Sequence, residues 1–359
     1  MPKISYNIVR LFFKTPLHLS RGTSEMSKGH HHLMSDTLKS AIVSTAPLLY
    51  NWDQKEMEAF FQSFIVSSAF PFFDGDKYLF PKPYAANLNL TDAQQGKERK
   101  LKKRIHYLDQ AFLEKTLQGE LCEISLSQLY QERSIASNTP PQTIDPETND
   151  AVVFQAETIL RIMVPRKNEP DQDDTQLYYI ERLFFAQNCG LYFMVNMLDE
   201  NYKEALFSIL RLLADTGIGT DRNTGHGVFE LGNKHDFDTI EVTVPESSNQ
   251  LLNLSLYCPT EQEFYSDLLN KSHYKLIKRG GYISSEQFES YLTYRKKSVH
   301  MFKEASSFPS TENEQANTAK QNVIHRGQVH DLVPDILSGQ ANIWRDGRAI
   351  FFPMKTTAS

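Results

Sequence analysis

The sequence predicts an α+β chain in which a βαββαβ pattern occurs twice. Three observations predict it. Apolar segments of period two and period 3.6 follow one another in that order. At 359 residues the chain is long enough for two ordinary domains. The pattern also restarts after a polar link near residues 234–238, which divides the chain into 1–236 and 237–359.

Residues 4–13 are rich in β-branched and aromatic side chains and predict the first strand. A Ser/Arg/Gly/Lys/His loop over 20–32 follows. Ser35-Asp36 then reads as a helix N-cap, with Leu38, Ile42 and Ala46 on one apolar face and Pro47 as a stop. Met57, Phe60, Phe61, Phe64 and Ile65 recur at helical period and predict a second helix. Aromatic runs flanking Asp74-Gly75-Asp76 predict a hairpin over 69–80. The polar stretches 91–103 and 139–150 read as loops.

Long strands follow at 152–164, 177–185 and 191–198, the last two joined by a turn at 187–190. Ala205, Leu206, Ile209, Leu210 and Leu213 predict a helix that ends at Gly217. A glycine-rich loop spans 217–227, and a strand at 228–231 closes the first unit. The second unit is expected to hold strands at 239–244 and 251–257, a helix at 261–269 and a hairpin at 343–352. The Ser/Thr/Asn/Gln-rich run 306–321 reads as a flexible loop. Twice over, this is the ferredoxin-like (RRM-like) βαββαβ plan, with large insertions in the first copy. Such a fold alone names no function.

Composition excludes several classes. Hydrophobic residues make up 40% and charged residues 23%, a balance that supports a core and argues against global disorder. The three cysteines lie far apart and form no CxxC pair, against a zinc ribbon or a disulfide scaffold. No apolar run reaches the roughly 20 residues that span a bilayer, and residues 1–13 do not resemble a signal peptide, so a cytoplasmic protein with no membrane partner is expected. A net charge of −6 argues against a coat protein that binds nucleic acid through total charge. It permits a local footprint, and the cations are clumped. Lys97, Arg99, Lys100, Lys102, Lys103 and Arg104 form one cluster; Lys275, Lys278, Arg279, Arg295, Lys296 and Lys297 form another. For the first cluster taken alone, a solvated face is an equal alternative.

The glycine-rich stretch carries the functional argument. Gly217, Gly219, Gly225 and Gly227 permit positive φ and close backbone approach, and exposed N–H groups in such a loop can hold an anion. Arg222 supplies a fork suited to phosphate. A Walker loop or a dinucleotide loop lies between a strand and a following helix; here the helix comes first, and neither spacing is present. A simple helix C-cap would need one glycine, not four.

A GxGxxRxxGxGxFE loop after the second helix of a ferredoxin-like domain resembles the signature of the RAMP superfamily of CRISPR-associated proteins. Residues 33–42 (LMSDTLKSAI), the PKP run at 81–83 with the basic segment ending at Tyr107, and residues 299–308 (VHMFKEASSF) are similar to segments of the type III-A (Csm) subunit that caps the crRNA 5′ end. Met34 stands where that pattern usually has His, Ala305 where it has Gly, and residues 144–146 (IDP) where an IDR hairpin is common.

The resemblance implies a non-catalytic scaffold with no cofactor and no metal. It would hold the 5′ repeat-derived tag of crRNA, dock the large polymerase-type CRISPR subunit on one side and a backbone RAMP subunit on the other, and meet target RNA indirectly. The RNA-contacting residues expected are Ser35, Lys39, Lys82, Lys100, Lys103, Arg104, Gly217, Gly219, Arg222, Gly225, Gly227, Lys278 and Arg279. The alternative is a RAMP endoribonuclease that processes precursor crRNA with His18, His31 or His32 as general acid or base. His30–His32 lack acidic or cysteine partners at ligand spacing, so a metal site is not expected there.

Overall fold

A computed structural model describes residues 1–19, 32–92, 96–163, 176–283, 294–312, 314–315, 322–338 and 342–356. It is an α+β structure with a large mixed sheet. Strand β1 (Lys3–Phe13) leads to α1 (Ser35–Thr45), which passes into a 3-10 turn at Ala46–Leu48, with Pro47 at its start. Helix α2 (Gln54–Gln62) is opened by a capping box between Asp53 and Glu56, which contributes about 1 kcal/mol.

The expected continuation of that helix through Ile65 does not occur. Phe64–Val66 is strand β2, because its backbone pairs with the strand at 190–197. Strands β3 (Phe70–Phe73) and β4 (Lys77–Pro81) form the expected hairpin. Residues 98–104, expected in a loop, are helix α3 (Glu98–Arg104); Leu101 anchors it in a small core with Leu90, Ile105 and Ile124. Helix α4 (Gln110–Leu117) follows, capped by Asp109.

Strands β5 (Phe154–Met163) and β6 (Gln176–Phe185) pair with each other as a two-stranded ribbon. Strand β7 (Gly190–Met197) leaves that ribbon and pairs instead with β1, β2 and β3. The expected pairing across the turn at 187–190 is therefore corrected: β7 is apolar on both faces and is drawn into the main sheet. Helix α5 (Lys203–Thr216) ends at Gly217, whose φ of 81° is the reason a glycine stands there. Strand β8 (Phe229–Leu231) pairs with β1, and so does β9 (Asp238–Thr243), farther along the same strand. The main sheet thus includes the run β8-β1-β7-β3-β4 and continues beyond β4 through short strands at Tyr107–Asp109, Ile135–Ala136 and Leu129–Tyr130, with α1 against α5.

The C-terminal region holds β10 (Gln250–Asn253), β11 (Leu276–Arg279), β12 (Val299–Phe302), β13 (Ser307–Pro309), β14 (Ile324–Arg326), β15 (Val329–Asp331), β16 (Trp344–Asp346) and β17 (Ala349–Met354). Its four-stranded sheet has the order β13-β10-β17-β14. Three expectations are corrected here. Residues 261–269 form turns and a 3-10 segment rather than an α-helix. Strands β16 and β17 do not form one hairpin, since β16 pairs with β15 while β17 joins β10 and β14. Residues 307–309, within the stretch expected to be flexible, are a mostly buried edge strand anchored by Phe308. The main core is continuous between regions: Leu252, Leu254, Ile350 and Phe352 pack in the same cluster as Tyr6, Ile8 and Phe80.

Candidate RNA interface

Helix α1 has its apolar side, Leu38 and Ile42, in the main core. Its opposite side presents Thr37, Ser40, Ala41 and Ser44 to a groove of about 450 Å³. The far wall is the glycine loop, with Gly217, Gly219, Thr220 and Arg222. Arg279 and Lys296 reach the same groove from the C-terminal region.

The glycines act chiefly on their own loop. The Ile218 N–H donates to the Gly227 carbonyl at 3.0 Å, the Gly227 N–H to the Pro16 carbonyl at 2.9 Å, and the Thr220 N–H to the His18 carbonyl at 3.0 Å. A Cβ on Gly227 would stand 1.8 Å from the Ile218 carbonyl oxygen, and one on Gly219 would stand 2.6 Å from that of His18. Gly225, with φ +79°, has nothing within 4 Å of that position. Gly217 and Gly219 line the groove, and with Gly227 they also serve the packing of the loop itself. They let three chain segments approach one another and so fix where Arg222 stands.

The start of α1 is also revised. Met34 rather than Ser35 is the N-cap, and the Ser35 N–H donates to Ser68 Oγ at 3.1 Å. Ser35 Oγ accepts from the Leu256 N–H at 2.8 Å, and Ser35 is buried. Lys39 is buried at 1% exposure, so neither it nor Ser35 can be an RNA contact. Its ammonium donates to the Phe64 carbonyl at 2.6 Å and sits over the Phe64 ring. Burial drives its pKa well below the ordinary lysine value.

Asp36 joins the two regions. Its carboxylate accepts from Arg279 Nε at 2.9 Å and from an Arg279 terminal nitrogen at 3.0 Å, and also pairs with Arg345. Burial alone would raise this carboxyl, but Arg279 and Arg345 together hold it below its usual value. Arg279, expected to bind RNA, is therefore first an ion-pair partner whose remaining edge faces the groove. Lys296 beside it is brought down to about 8 by burial, Arg345 and Arg279, against the opposing effect of Asp36.

A second recess of about 410 Å³ adjoins the first through His32. Lys82 and Lys103 line it from one side, Lys275, Lys303 and Glu304 from the other. Lys103 and Arg104 are exposed at the end of α3, as is Lys100 in its middle. Lys278 is exposed on β11. The structure thus brings Arg222, Lys82, Lys103 and Arg279 onto one continuous surface, joined by Lys275 and Lys296 of the second basic cluster and by Thr37 of the α1 start; the sequence reading missed Ser40 there. The polar spacing 37, 40, 44 on α1 was the available signal for that helix face.

The histidines are committed to other groups. His18 Nδ1 lies 2.6 Å from the Glu181 carbonyl oxygen, and His32 Nε2 lies 2.5 Å from Glu304 Oε1. His30 and His31 lie outside the described residues. Among the described residues, no three His, Cys, Asp or Glu side chains are grouped to hold a metal, and no helix is long and apolar enough to cross a membrane.

Comparison with known proteins bears on this geometry. The RAMP superfamily matches residues 11–230, from the end of β1 through the glycine loop to β8. The chain belongs to the RAMP superfamily. The resemblance read from the glycine loop is borne out. Residues 246–354 match a second family, described as the CRISPR Csm4 C-terminal domain.

The CRISPR system Cms protein Csm4 of Thermococcus onnurineus is 26% identical over 247 residues, which cover 68% of this chain and 76% of that protein. The protein of the same name from Streptococcus thermophilus is 24% identical over 319 residues, covering 86% and 90%. Among solved structures, a chain in the Csm3-Csm4 subcomplex of the type III-A CRISPR-Cas interference complex superposes with a TM-score of 0.58. The match covers 97% of this chain and 99% of that one at 18% identity. A chain of the Csm1-Csm4 cassette in complex with cA4 gives 0.55 at 16% identity, with full coverage of both. At these identities the structural likeness is one of fold. This RAMP chain presents its superfamily loop as one wall of the groove, with its C-terminal region supplying Arg279 and Lys296 to the other side.

Proposed function

We propose that this chain is a non-catalytic crRNA-binding subunit of a type III-A CRISPR interference complex. It holds the 5′ tag of the guide in the groove between two ferredoxin-like halves, 1–236 and 237–359. The order β8-β1-β7-β3, with α1 against α5, supports that plan for the first half. The observation that carries the reading is the groove itself. A loop that holds Arg222, a polar helix face and cations from a distant part of the sequence converge there. Such a surface suits single-stranded RNA, which is gripped through its phosphates.

The names of the matched complexes support docking of a large Csm1-type subunit and a backbone Csm3-type RAMP, with target RNA met through the guide. Assembly on cytoplasmic RNA follows from the same reading. The test is purification of the assembled complex and quantification of co-purifying short RNAs with a common 5′ end. Arg222→Ala should weaken guide retention by about 1–3 kcal/mol, the scale of one charge-assisted contact. Full retention by a folded variant would place the seat elsewhere. Metal-independent cleavage of repeat RNA by the isolated chain would replace the scaffold reading with the nuclease one.

A further inference from the structure

Helix α1 leads from the groove to a surface of the opposite character. Thr37, Ser40 and Ser44 face the groove, and Leu48 follows Ser44 by four residues, continuing that face into the 3-10 turn beyond the helix. There the surface turns apolar. Leu48 is 52% exposed, Leu49 46% and Leu198 47%. A half-buried aromatic cluster joins them. The Tyr50 ring stacks on Trp52 with centroids 4.3 Å apart, and Tyr202 meets Trp52 edge-on at 6.1 Å. Tyr50 directly follows the two exposed leucines, and Tyr202 closes the 3-10 turn after Leu198, so the cluster ties the α1–α2 connection to the β7–α5 connection. Single exposed leucines are ordinary on a protein surface. Three of them about a stacked tyrosine–tryptophan pair have the composition of an interface centre.

The rim of this patch is acidic. Asp53, Glu56 and Glu58 come from the start of α2, and Asp199, Glu200 and Glu204 from the turn that opens α5; all are exposed or half-exposed. Lys55 and Lys203 interrupt the rim, but Lys203 is already paired with Asp236 at 2.6 Å. The chain thus gathers cations at the groove and part of its acidic excess here. Such a rim rejects three occupants. It repels the phosphates of RNA and the anionic headgroups of a membrane. In a symmetric pair of copies, each rim would face its own like charge. What it complements is a protein face whose apolar centre is ringed by lysine and arginine.

We propose that Leu48, Leu49, Tyr50, Trp52, Leu198 and Tyr202, within this acidic rim, dock the backbone Csm3-type subunit through a basic face of that subunit. The inference rests on the RNA-binding reading above and gives one of its partners a place on this chain. Helix α1 selects the partner: a guide lying along Thr37 to Ser44 reaches the patch at Leu48. The subunit seated there takes the guide onward, and a protein that grips RNA phosphates carries the cations the rim requires. Docking leaves the glycine loop free, since α5 starts beside Tyr202 and its 14 residues carry Gly217 about 20 Å away.

The test is hydrogen exchange on the full chain, alone and after separate addition of guide RNA, the purified Csm3-type subunit or the purified Csm1-type subunit. Amides of 46–58 and 198–204 should gain protection with the Csm3-type subunit and with neither of the others. Two variants carry the test into affinity for the Csm3-type subunit, measured by biolayer interferometry over a salt series. Leu49→Ser with Leu198→Ser changes two exposed side chains and should weaken binding at least about tenfold. Glu58→Lys with Glu200→Lys should weaken it and flatten its salt dependence, because cations then meet cations. Guide binding by the chain alone should fall in neither variant.

Protection of these amides by the Csm1-type subunit overturns the assignment of the partner, and protection by guide RNA overturns the exclusion of RNA. Unchanged affinity in both variants, with Arg222→Ala still losing guide, overturns the docking surface and leaves the groove standing. A wild-type chain that binds neither guide nor the Csm3-type subunit overturns the surface and the function proposed above together.

Discussion

Removing the charge of Asp36 should separate the two regions of the molecule energetically. Asp36 is 2% exposed and holds Arg279 and Arg345, with Lys296 close by. Asp36→Asn keeps the shape of the side chain but leaves two guanidiniums and an ammonium crowded together with no carboxylate between them. Breaking one partner of a buried pair costs about 3–5 kcal/mol, and here one carboxylate serves two arginines, so the upper half of that range is expected. Urea unfolding followed by fluorescence and by circular dichroism would measure the loss. Arg345→Met in the Asp36→Asn background should recover part of it, because it removes one of the stranded charges.

The acid limb gives an independent check. The folded carboxyl lies below its ordinary 3.8, so its contribution is complete above that value and is lost as pH falls through the folded pKa. Asp36→Asn should therefore flatten the fall in stability below about pH 4. A loss under about 1 kcal/mol, or an unchanged acid limb, would refute the claim that Asp36 ties the regions together.

Three further outcomes follow from the geometry. Gly227→Ala should prevent stable folding of the loop, since its Cβ would stand 1.8 Å from a carbonyl oxygen, whereas Gly225→Ala should cost only about 1–2 kcal/mol of left-handed strain; protease sensitivity near 217–227 distinguishes them. Lys39→Met should leave RNA retention unchanged and stability within about 1 kcal/mol, because Asp346 keeps Arg348 at 2.8 Å; lost guide RNA in a folded Lys39→Met complex would return that lysine to the interface. Neutralising Lys100, Lys103 and Arg104 together should lower the salt slope of RNA binding without unfolding α3, which Leu101 anchors; an unchanged slope would make that helix face merely solvated.

Several elements were legible because local pattern and final environment agree. Helix α5 carries its apolar face and its glycine stop in adjacent residues, and the hairpin at Asp74-Gly75 follows from turn chemistry alone. Where pairing partners are distant, local pattern misled. Phe64 and Ile65 fit a helical period, yet β7 lies alongside them and claims their backbone for the sheet. Trp344–Asp346 and Ala349–Met354 look like the two arms of one hairpin, yet each finds a better partner elsewhere. Leu101 was the single apolar residue within the basic run 97–104, too little to signal that the segment is an anchored helix.

By itself the sequence determined the superfamily, the α+β class and the position of the glycine loop, since a run of glycines around one arginine is a local and unusual pattern. Only the tertiary structure decided which cations can reach a ligand. Lys39 and Arg279 read alike as basic residues, but one is enclosed under the Phe64 ring and the other stands at the groove edge, paired with Asp36. That difference is fixed by the long-range packing of α1 against β2 and β16, and charge in a sequence carries no record of the dielectric around it.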